Sequence, residues 1–285
     1  MSCSTCDDSG WKTTVVDGVS RVTRCDCIRQ SAGARLLSYA RIPKRYEHCT
    51  FENFTAYNEP LQNAQRYAAQ LADRFPVVSK GMFLHGPPGV GKTHLSVAVL
   101  AHVIRERGAV GMFYDTRDLL RVIRSTYDPV SRAAEMDVLR PVMTADVLVL
   151  DDLGAEKTSE WVDETLNLIV NTRYSEKRVT LFTSNYDDIP DSTDPDSLLF
   201  RIGHRMRSRL HEMCEFHYMD GADYRELPVN GGVNDLLIKW KMRGKSGRRP
   251  SLPNRAQGQA RAAMPGRDPR DSKADLKWPG GRAGS

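Results

Sequence analysis

Between residues 86 and 93 the sequence reads Gly86-Pro87-Pro88-Gly89-Val90-Gly91-Lys92-Thr93. This stretch matches the phosphate-binding loop pattern G-x-x-x-x-G-K-[ST] at every fixed position. The glycines of such a loop let backbone N–H groups turn inward around phosphate oxygens. The lysine then reaches the β- and γ-phosphates, and the following hydroxyl can bind Mg²⁺. We therefore expect Lys92 and Thr93 to lie in a nucleoside triphosphate site.

The segments on both sides of the loop have the patterns of a strand–loop–helix unit. Residues 81–85 are an apolar run that precedes the loop as a buried strand would, and residues 93–104 follow it with helical periodicity. A helix N-terminus pointing at the loop adds its dipole to phosphate binding. His94 is the first residue after the loop. It is a candidate for nucleotide contact, although packing on the helix is the simpler interpretation.

Composition is that of a globular protein with room for about two domains. The chain is 40% hydrophobic and 27% charged, which is ordinary for a protein with a buried core. No apolar run approaches the roughly 20 residues of a membrane-spanning helix, and the amino terminus lacks a signal-peptide pattern. We expect a cytoplasmic protein without a membrane partner. The net charge of +5 is concentrated in residues 241–285, which hold 12 Lys or Arg and 3 Asp or Glu.

Four of the six cysteines fall within the first 27 residues, as the pairs Cys3-x-x-Cys6 and Cys25-x-Cys27. The residues between the pairs read as two short strands joined by Asp17-Gly18, a dipeptide typical of hairpin turns. A hairpin would bring both pairs to one end, and four thiolates within tetrahedral reach favour Zn²⁺ in a reducing cytosol. Reduced or redox-active thiols are the alternative, since the second pair has only one intervening residue.

Beyond residue 60, apolar strand patterns alternate with helical patterns. Strands are predicted at 81–85, 110–114, 146–150 and 179–183, a fifth is suggested at 215–219, and helices are predicted at about 61–75, 92–106, 116–126, 131–143, 160–177 and 198–213. This alternation predicts an α/β fold with a parallel sheet covered by helices on both faces. The predicted organisation is a zinc module at 1–30, a linker at 31–60, a nucleotide-binding domain at 61–228 and a basic, largely disordered tail at 229–285.

Two carboxylates follow the apolar strand predicted at 146–150. Ligands bind at the carboxyl ends of strands in open α/β sheets, so Asp151 is placed to hold Mg²⁺ and Asp152 to act as general base toward an attacking water. The next strand ends near Asn185, whose amide can hydrogen-bond the water or the γ-phosphate. Ordinary turn chemistry is the alternative for Asn185.

Arginines recur every four residues in the helix predicted at 198–213, at positions 201, 205 and 209. This spacing gives one positive stripe. Its functional interpretation is an arginine finger, which reaches the γ-phosphate of a neighbouring subunit, and a solvated face is the alternative. Farther along the chain, Arg225 is a candidate for phosphate contact within the same subunit.

A second cationic face is predicted on the helix at 116–126, where Arg117, Arg121 and Arg124 share one side. Such a face can follow the backbone of single-stranded DNA, with Tyr127 nearby for base stacking. A solvated face on a core helix is the alternative.

Taken in order, these motifs resemble the DnaC/DnaI-type bacterial helicase loaders and the IstB transposition helpers, a branch of the AAA+ ATPases. The resemblance runs from the amino-terminal cysteines to about Arg225 and includes residues 40–46, 50–54, 148–154 and 202–210. It implies Walker A for the phosphate loop, Walker B for the acidic pair at 151–152 and sensor 1 for Asn185. It further implies an arginine finger at Arg209, with Arg205 as the alternative, and a sensor 2-like role for Arg225. Residues 50–54, with Phe51 and Phe54, resemble the segment that packs beside the adenine.

The resemblance implies a slow ATPase, stimulated by assembly, that loads a replicative DNA helicase onto single-stranded DNA and self-associates when ATP is bound. The cysteine module would dock the helicase. Recruitment of a transposase to DNA is the alternative, but transposition helpers generally begin without such a module. A nucleotide-dependent adaptor with negligible turnover is a third hypothesis. It follows from Asp152, which stands where many AAA+ proteins have Glu, and from the lack of an evident helical lid after the last predicted strand.

Overall fold

The computed structural model describes residues 3–16, 18–126, 132–156, 158–228 and 231–246. Its elements follow in the order β1 (Trp11–Val16), β2 (Val19–Arg24), α1 (Asp26–Tyr39), α2 (Glu59–Arg74), β3 (Gly81–His85), α3 (Lys92–Arg107), β4 (Gly111–Asp115), α4 (Thr116–Ser125), α5 (Arg132–Thr144), β5 (Val147–Asp151), α6 (Glu160–Ser175), β6 (Val179–Ser184), α7 (Leu198–Met213), β7 (Cys214–Tyr218) and α8 (Val233–Ser246). Tyr127 and the residues after 246 lie outside the described part of the chain.

Among the described residues, β3 to β7 form a five-stranded parallel sheet in the order β4-β5-β6-β3-β7. β3, β5 and β6 are short runs whose residues are almost all buried, whereas in β7 only Cys214 is buried. Helical crossovers connect them because parallel neighbours cannot be joined by a hairpin. The predicted α/β fold with a parallel sheet is confirmed, including the suggested fifth strand.

Side chains on the two faces of β3 show how the sheet is covered. Met82 and Leu84 belong to the core that α2 and α3 cover on one face. Phe83, between them, points to the other face, where it stacks on Phe216 of β7 with ring centroids 4.4 Å apart. On that side, α7 contacts β6 and β7. The carboxyl ends of β3, β5 and β6 therefore lie together at one edge, framed by helices.

The amino-terminal residues form the expected hairpin, in which β1 and β2 pair antiparallel from Trp11↔Arg24 to Val16↔Val19. α1 begins directly after it, at Asp26, and continues into the segment predicted as a linker at 31–60. α2 begins at Glu59 because the Asn58 side chain accepts a hydrogen bond from the backbone N–H of Leu61 (3.0 Å).

Residues 233–246, within the tail predicted at 229–285, form α8, a helix that the sequence analysis does not predict. This helix has a short apolar side that the surrounding glycines obscure in the sequence. Leu236 is buried, and Trp240 Nε1 donates a hydrogen bond to the Asp220 carboxylate (2.6 Å). Burial of Leu236 and this bond attach α8 to the segment that follows β7. None of the described helices has the length and apolar character that crossing a membrane requires.

Candidate functional site

A cleft of about 630 Å³ opens at the carboxyl edge of the sheet. The ends of β4, β5 and β6 and the loop that follows β3 line it, together with residues from the segments at 45–55 and 224–225. Its lining includes Lys92, Thr93, Asp151, Asp152 and Asn185. Parallel strands present their carboxyl ends together, so residues far apart in sequence meet here.

The phosphate loop joins β3 to α3 through backbone conformations that favour glycine. Gly86 has φ 137° and Gly91, which caps α3, has φ 95°. A Cβ on Gly91 would lie 2.7 Å from the Phe54 ring, so no other residue fits beneath that ring. Pro88 and Gly89 line the cleft, whereas Val90 is buried beneath it. The loop therefore turns its backbone toward the cleft at the N-terminus of α3, where anions bind favourably.

Lys92 is the central cation of the cleft, with 7% of its surface exposed. Its ammonium donates hydrogen bonds of 2.8 Å to the carbonyls of Gly86 and Pro87 and to Asn185 Oδ1. Burial lowers the pKa of Lys92 to about 8, against the opposing effect of the Asp152 and Asp151 carboxylates. The charge is thus poorly compensated until an anion enters.

Asp151 ends β5 with its carboxylate buried between two hydroxyls. Thr93 Oγ1 donates to it at 2.9 Å and Thr183 Oγ1 at 2.6 Å. Burial raises the pKa of Asp151 to about 6 although both hydroxyl bonds favour the ionised form. A hydroxyl and a carboxylate side by side are the oxygen ligands that Mg²⁺ prefers, so this pair fits the ion.

Asp152 follows with φ 59° and holds its carboxylate between an amide and a guanidinium. Asn185 Nδ2 donates to Oδ1 (2.5 Å), and Arg117 donates to Oδ2 (3.3 Å). Burial raises the pKa of Asp152, with Arg117 as the largest opposing influence. A chain of hydrogen bonds therefore connects Lys92, Asn185, Asp152 and Arg117.

Arg117, Arg121 and Arg124 are all exposed on one side of α4, as its helical repeat predicts, and Arg117 also lines the cleft. Arg121 pairs with Asp118 (2.8 Å) on the exposed surface. Arg124 lies over the Trp161 ring, 4.5 Å from its centroid. Arg117 lies in the first turn of α4, directly after β4, and from there its guanidinium reaches Asp152.

The two aromatic candidates of residues 50–54 separate in the structure. Phe54 lines the cleft against the phosphate loop. Phe51 does not line it and lies instead by His102 in a separate cavity of about 140 Å³; a position of the 50–54 segment beside the adenine stays a prediction. His94 borders the cleft with Nε2 2.9 Å from the Thr50 carbonyl, and burial lowers its pKa.

Three arginines implied by the resemblance occupy different positions. Arg225 lines the cleft, where its guanidinium binds the Asp223 carboxylate through Nε (2.8 Å) and Nη2 (2.6 Å). Arg205 and Arg209 lie on α7 and do not line the cleft of their own chain. Asp223, which packs against Gly89, was not predicted as a site residue, and its neighbour Arg225 was the only signal for it.

The four amino-terminal cysteines meet at the base of the hairpin. The Sγ atoms of Cys3, Cys6, Cys25 and Cys27 all lie within 4.8 Å of one another. The Sγ atoms of Cys3 and Cys25 are 3.8 Å apart, and those of Cys6 and Cys27 are 3.4 Å apart. A tetrahedral site with Zn–S bonds of about 2.3 Å needs sulfurs about 3.8 Å apart. The donor set and spacing therefore fit Zn²⁺.

Comparison with known proteins relates this site to a family. A model of the IstB-like ATP binding proteins matches residues 24–207. "Uncharacterized protein YqaM" of Bacillus subtilis is 26% identical over 225 residues, covering 74% of this chain and 65% of that protein. The "Replicative helicase loader DnaC" of Escherichia coli K12 is 28% identical over 157 residues, covering 54% of this chain and 63% of that protein. The alignments thus span less than two thirds of the curated relatives.

Solved structures agree on the fold. The chain is 32% identical to a crystal structure titled "DnaC helicase loader", with a TM-score of 0.56, covering 62% of this chain and 99% of that one. Nucleotide-bound DnaA from Aquifex aeolicus has a TM-score of 0.52 at 18% identity, covering 73% of this chain and 58% of that one. At that identity the likeness concerns the fold alone. The predicted AAA+ P-loop fold is confirmed.

Proposed function

The chain belongs to the IstB-like ATP-binding protein family, and from this premise we propose that it binds ATP with Mg²⁺ and hydrolyses it slowly. We further propose that this cycle loads a replicative DNA helicase onto single-stranded DNA. The observation that carries the first step is the meeting of Lys92, Thr93, Asp151, Asp152 and Asn185 in one cleft.

The burial and the hydrogen bonds of the Lys92 ammonium favour binding of ATP. Its ammonium is buried and bonded to two loop carbonyls, which carry only partial charge. The β- and γ-phosphates would take over these bonds and supply full negative charge in a site of low dielectric. Thr93 and Asp151 would hold Mg²⁺, which supplies charge neutralisation at the same phosphates.

Hydrolysis requires a base near the γ-phosphate, and Asp152 is the candidate. Its carboxylate would accept the proton of the attacking water, while Asn185, bonded at 2.5 Å, holds the orientation of the carboxylate. The Arg117 guanidinium occupies the other carboxylate oxygen. Because Arg117 stabilises the ionised carboxylate and competes with water for it, slow turnover is expected from the isolated chain.

Completion of the site is proposed to require a second copy of the chain. Arg205 and Arg209 lie away from their own cleft, so a cation from α7 would reach the γ-phosphate of a neighbouring subunit. ATP bound between two copies would then favour self-association, and hydrolysis would release it.

The helicase partner is proposed from the relatives, two of which carry the name helicase loader. In this proposal the cysteine module holds Zn²⁺ and docks the helicase, and Arg121 and Arg124 on α4 meet the DNA backbone. Recruitment of a transposase is the competing proposal, because the matched family is named for IstB-like proteins.

A capture experiment separates the partners. The full chain, immobilised, is offered a purified bacterial replicative helicase or an IS21-type transposase, each with and without ATP and Mg²⁺. We expect retention of the helicase to depend on ATP. The change Lys92→Ala should abolish ATP binding and this dependence, while Lys44→Ala, at an exposed lysine, should alter neither. ATP-dependent capture of the transposase alone would contradict helicase loading, and unchanged hydrolysis in Lys92→Ala would contradict the nucleotide site.

A further inference from the structure

Helix α7 is interrupted at Gly203, where φ is 74° and ψ is 164°. This conformation is outside the helical region and favours glycine. The direction of the second half, residues 204–213, is therefore not inherited from the first half. Its orientation is set by its continuation into β7 at Cys214 and by side-chain contacts with the rest of the domain.

Apolar contacts provide part of this orientation. Met206 and Leu210 are buried, with 1% and 0% of their surfaces exposed, and they form one stripe along the second half of α7. With 100° between successive residues, Arg205 and Arg209 lie on one flank of this stripe. These two buried side chains hold one face of the helix against the domain.

Asp188 holds the opposite flank. Its carboxylate accepts a hydrogen bond from Arg207 Nε (2.6 Å), and His211 Nε2 lies 2.9 Å from its other oxygen. The Asp188 side chain is only 13% exposed, and the His211 ring also stacks on Phe216 at 4.1 Å. Charge-assisted bonds of this length and burial constrain geometry strongly. Because the contacts are one helical turn apart, they oppose rotation of the helix.

The carboxylate also connects α7 to the nucleotide cleft. Asp188 is three residues after Asn185, which bonds Lys92 and Asp152. The backbone between them is fixed to the start of α7, since Leu198 N donates to the Asp187 carbonyl (2.8 Å). The segment at 185–188 therefore contacts the cleft through Asn185 and, through Asp188, the side of α7 opposite to Arg205 and Arg209.

We propose that Asp188 is a positioning residue for hydrolysis between subunits: it clamps Arg207 and His211 so that Arg205 and Arg209 present their guanidinium groups to the cleft of a second copy of this chain. The inference rests on the proposed function, since it needs a cation supplied from α7. At about 6 Å from a helix axis, a rotation of about 10° moves an atom by about 1 Å. A misplacement of that size can lower a rate by about a hundredfold.

The test uses two inactive chains that complement each other. The acceptor carries Arg205→Ala and Arg209→Ala and keeps its cleft. The donor carries Lys92→Ala and keeps its arginines. Neither should hydrolyse ATP alone, and the mixture should regain turnover at acceptor clefts. Adding Asp188→Asn to the donor should lower the regained kcat about tenfold or more. The KM for ATP should stay unchanged, since only the acceptor binds ATP.

The controls separate positioning from loss of fold. Asp191→Asn in the donor makes the same chemical change in the same loop, at a carboxylate that bonds Thr193, and should leave the regained turnover intact. Arg207→Gln should reproduce the loss from the other side of the contact. Thermal unfolding of each donor shows whether it is folded. If Asp188→Asn lowers the midpoint of thermal unfolding, the turnover regained with the Arg207→Gln donor decides whether the contact positions α7.

The outcomes distinguish the clamp at Asp188 from the proposed action between subunits. Loss with Asp188→Asn and Arg207→Gln, but not with Asp191→Asn, supports the clamp. If neither Asp188→Asn nor Arg207→Gln changes the regained turnover, the clamp is wrong, and the proposed ATPase activity is unaffected. No turnover in the mixture with Asp188 intact overturns the action between subunits and the clamp with it. Hydrolysis by the unmodified chain, measured separately, tests the proposed function itself.

Discussion

Lys92 is a buried lysine whose charge opposes folding as long as the cleft holds no anion. Its pKa is lowered from 10.5 to about 8, chiefly by desolvation. Below pH 8 the ammonium is charged in both the folded and the unfolded chain, so the folded state carries the full free-energy cost of burying the charge. At about 1.4 kcal/mol per pKa unit, the difference between these values corresponds to about 3 kcal/mol.

The penalty should disappear as the pH rises. Above pH 8 the folded protein loses this proton while the unfolded chain keeps it, so the unfolded state binds more protons and the free energy of unfolding rises with pH. With pKa values of about 8 and 10.5, Lys92 should contribute a gain of about 2 kcal/mol between pH 7.5 and 9.5. Saturating ATP and Mg²⁺ should remove this gain, because phosphate charge favours the ammonium.

Urea unfolding of the unmodified protein and of Lys92→Met at pH 7.5 and 9.5 measures the effect. The difference between the two unfolding free energies isolates Lys92 from other titrating groups. We expect this difference to change by about 2 kcal/mol in favour of the unmodified protein at the higher pH. Lys44→Met, at an exposed position, serves as the control. A difference that stays constant, or that moves in the opposite direction, would show that Asp151 and Asp152 outweigh desolvation and would refute the reasoning.

Three further predictions concern other groups. Arg173 is 1% exposed and donates hydrogen bonds to four backbone carbonyls. In urea unfolding, Arg173→Met should therefore lower the unfolding free energy by about 3 kcal/mol. The same change at either exposed arginine of α2 should lower it by less than about 0.5 kcal/mol. Arg117→Ala removes the charge that favours ionised Asp152, so the acidic limb of the kcat–pH profile should move to higher pH; an unmoved limb would argue against Asp152 as the base. Elemental analysis should find about one zinc per full chain. Cys27→Ser should release most of it and Cys49→Ser none, and zinc retained by Cys27→Ser would exclude that ligand.

Much of the architecture follows from local patterns. The strand before the phosphate loop, the helix after it and the later alternation of apolar strands with helices all have periods that a short window of sequence contains. These patterns predicted the parallel sheet, and its strands lie within one residue of the expected positions. The meeting of Lys92, Asp151 and Asn185 also follows, since parallel strands end at a common edge.

Local patterns did not predict contacts that depend on how the elements pack. The repeat of α4 puts Arg117 on one side with Arg121, and only the packing of the elements shows that its guanidinium also meets Asp152. Phe51 and Phe54 are three residues apart, yet one lines the cleft and the other a separate cavity. Glycines on both sides of a short apolar helix concealed α8, which Leu236 and a bond from Trp240 hold in place.

The order of residue types along the chain was therefore enough to predict a nucleotide-binding α/β domain and the strand ends that carry its polar groups. Which charges meet depends on how the elements pack. Asp188 and Arg207 are 19 positions apart, on a loop and an interrupted helix, and nothing in their spacing predicts a contact of 2.6 Å. The physical reason is that helical and strand periods act over a few residues, whereas an ion pair between elements depends on the position and rotation of whole helices in the packed domain.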